Sequence, residues 1–181
     1  MLIDNEFDVR APADQVWQYL LDVPRMVGCL PGAELTEMID DNNFKGRVTA
    51  NLGPVSLRFG GTAKIVERNE SAKKIVLDAA GSEEKGKGQA NMLLTAVVSS
   101  GPAGTRVKVS QDLQISGAAA QYGRGMISDV TSVLMRDFAA NMQDDIPRWN
   151  RGEERSASGA SSASGLSIGF SAMKLALGRF L

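Results

Sequence analysis

Residues 106–146, RVKVSQDLQISGAAAQYGRGMISDVTSVLMRDFAANMQDDI, change their hydrophobic period part-way, and that change decides the fold. In Arg106-Val107-Lys108-Val109-Ser110 apolar and polar residues alternate, the period of two expected of a strand with one covered face. Gly117 punctuates the chain. Beyond it Tyr122, Met126, Val130, Val133, Leu134, Phe138 and Met142 recur at steps of three or four, which predicts one long amphipathic helix from Ala118 to Ile146. A sheet with one apolar face, followed by a helix with one apolar stripe, is most economically packed with the helix laid across that face.

Upstream, residues 33–116 read as successive strands cut by turn chemistry. The turns are Asp40 to Asn43, Gly53-Pro54, Asn69 to Ser71, Glu83 to Gly88 and Ser100 to Gly104. Such short connections predict consecutive antiparallel hairpins. Val55 to Phe59 and Lys74 to Asp78 alternate as well, so one face is covered and the other wet. Leu2 to Val9 is predicted as a half-buried strand. Pro12 opens a helix in which Val16, Trp17, Leu20 and Leu21 keep helical spacing, and Pro24 stops or restarts it. A second short turn, Arg25 to Leu30, ends at Pro31-Gly32. The fold class is α+β: a curved antiparallel sheet wrapped around a long C-terminal helix, with two short N-terminal helices closing one end.

Composition removes several kinds of chemistry. Histidine is absent from all 181 residues, which takes away the commonest general base and metal ligand and the middle member of any Ser-His-Asp arrangement. The net charge of −1 gives no field that would favour nucleic acid. Cys29 is the single cysteine and cannot form an internal disulfide; with no basic and apolar leader at the N-terminus, a reducing cytoplasm is expected. Before Pro31-Gly32 it reads as a small buried residue. Gly86-Lys87-Gly88 lacks the strand and helix context of a phosphate loop and reads as a hairpin. Gly123 and Gly125 in a helix cost about 1 kcal/mol each against alanine, and two explanations stand. Either the turn approaches the sheet closely, or the missing side chains leave an opening through which an apolar ligand enters. Eight methionines, Met126 and Met142 among them, suit an adaptable apolar wall but are also ordinary core filler.

After Trp149 the character changes. Arg151 to Gly165 is almost wholly Ser, Ala, Gly and charge, the composition of a flexible linker. Leu166 to Leu181 then brings back large apolar residues together with Lys174 and Arg179 and no acid. At 100° per residue Leu166, Phe170, Met173, Leu177, Phe180 and Leu181 share one face. Sixteen residues are too few to span a bilayer comfortably, so the segment is expected to lie in the membrane interface. Burying six such groups gives a gross gain on the order of 10 kcal/mol before ordering costs. A groove on a partner protein and a last core helix are the other readings, and the linker argues against the second. The expected organisation is a folded domain over residues 1–149, a linker over 150–165 and an anchoring tail over 166–181.

The order strand, two short helices, antiparallel strands and long helix resembles the helix-grip fold of the START-like (SRPBCC) superfamily. Several motifs are similar to the CoxG family of carbon monoxide dehydrogenase in particular: Val16-Trp17 with Leu20, Asp22-Val23-Pro24, Cys29-Leu30-Pro31-Gly32-Ala33-Glu34, Gly53-Pro54-Val55 with Phe59 and Gly61, and Ser116-Gly117 before Ala120-Gln121-Tyr122-Gly123-Arg124-Gly125-Met126-Ile127. Ala33 stands where a second cysteine often follows Pro-Gly in that family. The resemblance covers residues 1–147. It implies a helper of the molybdenum carbon monoxide dehydrogenase, without redox centres of its own, that attaches the soluble enzyme to the inner face of the cell membrane. It further implies a site for an apolar molecule between helix and sheet, with a respiratory quinone, menaquinone or ubiquinone, as the expected occupant and no metal or covalent cofactor. The expected lining is Trp17, Phe59, Tyr122, Met126, Val130 and Leu134. Two alternatives remain: a pure membrane tether without ligand, and a small polyketide-type enzyme. The enzyme would need polar groups such as Arg58, Glu67, Asp78 or Asp112 to point inward, and alternation directs most of them outward.

Overall fold

The first strand, β1, is Leu2–Val9, and the hairpin region supplies β2 (Ala33–Met38), β3 (Asn43–Leu52), β4 (Val55–Asn69), β5 (Lys74–Glu83), β6 (Gln89–Gly101) and β7 (Gly104–Ile115). The computed structural model describes residues 1–155. These strands form one antiparallel sheet in the order β1-β7-β6-β5-β4-β3-β2, so β2 to β7 is a meander and β1 returns to pair with the last strand. Two short helices, α1 (Ala13–Leu21) and α2 (Val23–Val27), carry the chain from one edge of the sheet to the other. Pro24 sits in the first turn of α2, where its missing N–H costs nothing, so that helix begins two residues before the expected turn.

A flat sheet could not wrap a helix. Here two bulges, at Leu35/Glu37 and Ile65/Glu67, add local twist. A cross-strand row, Gly46–Gly61–Gly81, creases it further. A Cβ at Gly61 would sit 2.0 Å from the Ala80 carbonyl oxygen, and one at Gly46 would sit 2.6 Å from that of Glu34. Only residues without a side chain permit this approach of neighbouring strands.

The long helix differs from its expected form at both ends. Ala118–Tyr122 is a 3-10 turn, and α3 runs from Gly123 to Asn150. Gly123 has φ +75°, outside the right-handed helical region, which separates the two pieces and lets α3 restart in a new direction. The buried stripe within α3 also differs in part from the expected one. Ile127, Phe138, Met142 and Ile146 are buried, whereas Met126 and Val133 are 40% and 45% exposed. The principal core packs Trp17, Tyr19 and Leu20 of α1 and Phe138, Met142 and Ile146 of α3 against Val9, Val98 and Val107 of the sheet. Phe7 and Phe138 meet edge to face with centroids 5.8 Å apart. Each such side chain contributes about 1.5–3 kcal/mol by leaving water. This core clamps the C-terminal half of α3.

Candidate functional site

Strand register defines the concave face that α3 crosses. Phe44, Gly46, Val48, Ala50 and Leu52 share that face on β3; Phe59, Gly61, Ala63 and Ile65 share it on β4; Leu77, Ala79 and Gly81 on β5; Met92 and Leu94 on β6; Gln111 and Leu113 on β7. The middle of the face is paved with small residues. Gly46, Gly61, Gly81 and Ala90 form one cross-strand row, and Ala63 and Ala79 lie in the next. No side chain there reaches toward the helix. The larger neighbours Leu35, Phe59, Leu77, Met92, Leu94 and Leu113 face inward yet are only half-buried. Val48 is 40% exposed although its face-mates Phe44 and Leu52 are buried. Apolar side chains that point at a covering helix and still keep accessible surface must border space that the helix does not fill.

The opposite wall is the N-terminal half of α3, where Val130 and Leu134 are half-buried. Phe59, Tyr122 and Val130, three of the six expected lining residues, gather with Leu52, Leu57 and Ala119 in one apolar cluster at the β3–β4 end. Leu134 follows Val130 one turn later. Met126 is 40% exposed on the surface of α3 and lies outside that cluster. Trp17 belongs to the other cluster; its indole N–H donates to Glu70 Oε2 at 2.8 Å and ties α1 to the β4–β5 turn. A Cβ at Gly123 or Gly125 would meet nothing within 4 Å. Among the described residues, close approach of that turn to the sheet does not account for these glycines.

The other end of the hollow is closed by α2. Val23 and Val27 pack on Phe44, Ile65, Leu35 and Leu77. The opposite side of α2 is held by a polar cluster that sequence periodicity did not reveal. Asp145, 3% exposed in the last turns of α3, accepts from Tyr19 Oη at 2.8 Å, from Arg25 Nη2 at 2.9 Å and from Arg25 Nε. Burial disfavours the Arg25 cation, but the hydrogen bonds and charge of Asp145 outweigh it and hold the guanidinium above its ordinary range. The Tyr19 hydroxyl also lies 2.9 Å from Cys29 Sγ. Burial pushes both the Tyr19 phenol and the Cys29 thiol up, so both stay protonated at neutral pH. Trp149 donates to Asp22 Oδ2 at 3.1 Å and packs edge to face on Tyr19. The only signal in the sequence was an acid beside a buried stripe position, Asp145 next to Ile146.

Arg25 Nη1 also donates to the Glu153 carbonyl at 2.6 Å, so the first residues of the expected linker are fastened to α2. The residues expected to meet lipid, Leu166 through Leu181, lie outside the described residues, as does the linker from residue 156. Among the described residues no helix is long and apolar enough to cross a membrane. A separate hollow of about 370 Å³ lies at the β1–β7–β6 edge of the sheet, where Asp4, Asn5 and Glu6 of β1, Lys108, Val109 and Ser110 of β7, and Thr95 and Val97 of β6 line it. Arg58, Glu67, Asp78 and Asp112 are exposed.

Residues 6–147 match the family model that describes CoxG of carbon monoxide dehydrogenase. No curated protein sequence matches the chain. Among solved structures, a conserved protein from Geobacillus kaustophilus superposes with a TM-score of 0.71 at 17% identity, over 82% of this chain and 96% of that one. The Zhui aromatase/cyclase from a Streptomyces species gives a TM-score of 0.58 at 15% identity, over 85% and 99%. A START superfamily protein from Mycobacterium smegmatis gives 0.56 at 12% identity, over 82% and 98%. At these identities the likeness is one of fold, and it establishes the START-like helix-grip architecture.

Proposed function

Since the chain belongs to the CoxG family of carbon monoxide dehydrogenase, by the match over residues 6–147, we propose that it is a non-catalytic carrier serving a carbon monoxide dehydrogenase. In this reading an apolar molecule, a respiratory quinone of the menaquinone or ubiquinone type, sits between the concave sheet and α3. The tail from Leu166 to Leu181 rests on the inner face of the cell membrane and brings the carrier to its lipid-soluble cargo. One observation carries the proposal: a floor of Gly46, Gly61, Gly81, Ala63 and Ala79 ringed by half-buried Leu, Met and Phe side chains under a helix. Concave, mostly apolar hollows of this kind are where small molecules bind.

The chain's own part would be to hold and shield, while the quinone supplies the redox chemistry when bound. The exposed, outward positions of Arg58, Glu67, Asp78 and Asp112 support binding over catalysis, because an acid–base mechanism needs its groups within reach of the bound molecule. The test is to purify the full chain, extract it with organic solvent and identify the extract by mass spectrometry. A prenylated quinone close to one per chain is expected; an empty protein that also takes up no added quinone refutes the carrier reading. For the membrane, a chain ending at Arg155 should stay folded and no longer co-sediment with anionic liposomes, and undiminished sedimentation refutes the anchor.

A further inference from the structure

Two side-chain amides on the concave face have a nitrogen with no hydrogen-bond partner among the described residues, Asn5 Nδ2 on β1 and Gln111 Nε2 on β7. Gln111 is only 6% exposed. Register places them together. Ile3 pairs with Gln111 and Asn5 with Val109, so the two amides are diagonal neighbours on one face, a spacing of about 7 Å. Gln111 also pairs with Leu94, one of the half-buried apolar residues bordering the hollow.

The helix above is unusually polar at this point. Ser128 and Thr131 are half-buried there, and the hydroxyls of Thr131 and Ser132 lie 2.8 and 2.9 Å from the carbonyls of Ile127 and Ser128 in α3 itself. Ser132 Oγ also stands 3.2 Å from Asn5 Oδ1. That contact uses the acceptor end of the Asn5 amide and leaves Nδ2 as the end without a partner. Buried polar groups in proteins are nearly always satisfied, and two unmet donors side by side at the edge of an apolar hollow call for an acceptor from elsewhere.

We propose that Gln111, with Asn5 beside it, is the polar recognition point of the hollow, donating an amide N–H to a carbonyl oxygen on the head of an otherwise apolar ligand. The inference rests on the carrier reading above and adds the residues that recognise the carbonyl head of its ligand, with plain hydrocarbon chains excluded as specific cargo. The terminal amide of Gln111 turns about one torsion and exchanges donor for acceptor, so the same residue meets a carbonyl with N–H and a hydroxyl with C=O. An oxidised carbonyl head and its reduced dihydroxy form would then both be held, as a carrier loading one and releasing the other requires.

The test uses two probes with the same carbon skeleton, 2-methyl-1,4-naphthoquinone and 2-methylnaphthalene, titrated calorimetrically into the full chain and into the Gln111→Leu chain. The hydrocarbon is the more apolar probe, so the informative quantity is the ratio of the two Kd values and its change on substitution. Loss of one hydrogen bond moves that ratio roughly tenfold against the quinone. In parallel, the infrared carbonyl stretch of the bound quinone should lie lower in the native chain than in Gln111→Leu. An unchanged ratio with an unchanged carbonyl band overturns the proposal and leaves the carrier reading standing, water then being the partner of the amide. Binding of neither probe to either chain overturns both. Gln111→Met, similar in length and shape, repeats the measurement if the leucine chain does not fold.

Discussion

Removing the carboxylate of Asp145 tests how α2 is held over the end of the hollow. Asp145→Ala deletes the acceptor of three hydrogen bonds and leaves the Arg25 guanidinium, whose side chain is 14% exposed, without its counter-charge. Breaking a buried pair from one side costs about 3–5 kcal/mol, chiefly because the surviving charge stays desolvated. For a domain of this size each kcal/mol lowers Tm by about 2–4 °C, so a fall of roughly 6–20 °C is expected. Arg25→Met should cost a similar amount by stranding Asp145. Removing both charges together, Arg25→Met with Asp145→Leu, leaves no ion to desolvate and should return stability to within ~2 kcal/mol of the native chain. With Asp145→Leu also measured alone to close the double-mutant cycle, the coupling is then at least ~3 kcal/mol. Urea unfolding followed by tryptophan fluorescence reports on it directly, since Trp149 packs against Tyr19 beside the pair. Single variants that each cost under ~1 kcal/mol, or a double variant equal to the sum of the singles, would refute the reasoning.

Four further outcomes follow from the same geometry. Gly61→Ala, whose new Cβ would meet the Ala80 carbonyl at 2.0 Å, should destabilise by about 1–3 kcal/mol or more, whereas Gly125→Ala, with nothing within 4 Å in a helix, should stabilise by roughly 0.5–1 kcal/mol; parallel thermal melts compare them. Ala79→Phe should fill the hollow from its floor, leaving circular dichroism unchanged while the yield of co-purifying apolar ligand collapses, and full retention of ligand would count against the site. Stability should also decline at alkaline pH. The Cys29 and Tyr19 pKa values are raised in the native state, so their contribution is complete below the ordinary values of 9.0 and 10.0 and is lost as pH climbs toward the folded values, because the unfolded chain releases those protons first. Urea midpoints measured from pH 7 to 11 should fall above pH 9, and less steeply in Tyr19→Phe. Finally, native Cys29, wholly buried, should resist iodoacetamide at pH 8 and react only after denaturation.

Local patterning was enough for most of the architecture. Period-two alternation, Gly and Asn turns and the abrupt shift at Gly117 are short-range signals, and they located all seven strands and the order of the helices. Gly123 shows where short-range reading ends. Its helical neighbours extended the expected helix through it, but a positive φ broke that helix there, and within α3 Phe138 and Met142 kept the expected stripe while Ile127 lies inward and Met126 outward. Of the residues expected to line a site, Phe59, Tyr122 and Val130 share one apolar cluster, being large, apolar and in phase with their elements. Trp17 looked equivalent by the same criteria and lies instead in the other cluster.

What the amino-acid order determined by itself was the kind of element each segment makes, since backbone preference and hydrophobic period act within a few residues. What tertiary structure alone decided was the small-residue floor of the concave face and the polar pairs around it. The floor exists because Gly46, Gly61 and Gly81, far apart in the chain, fall into register across three strands. Asp145 meets Arg25 across 120 residues, and Asn5 stands beside Gln111 only because β1 pairs with β7. Such contacts depend on how strands align and helices close over them, a long-range outcome that no local period encodes.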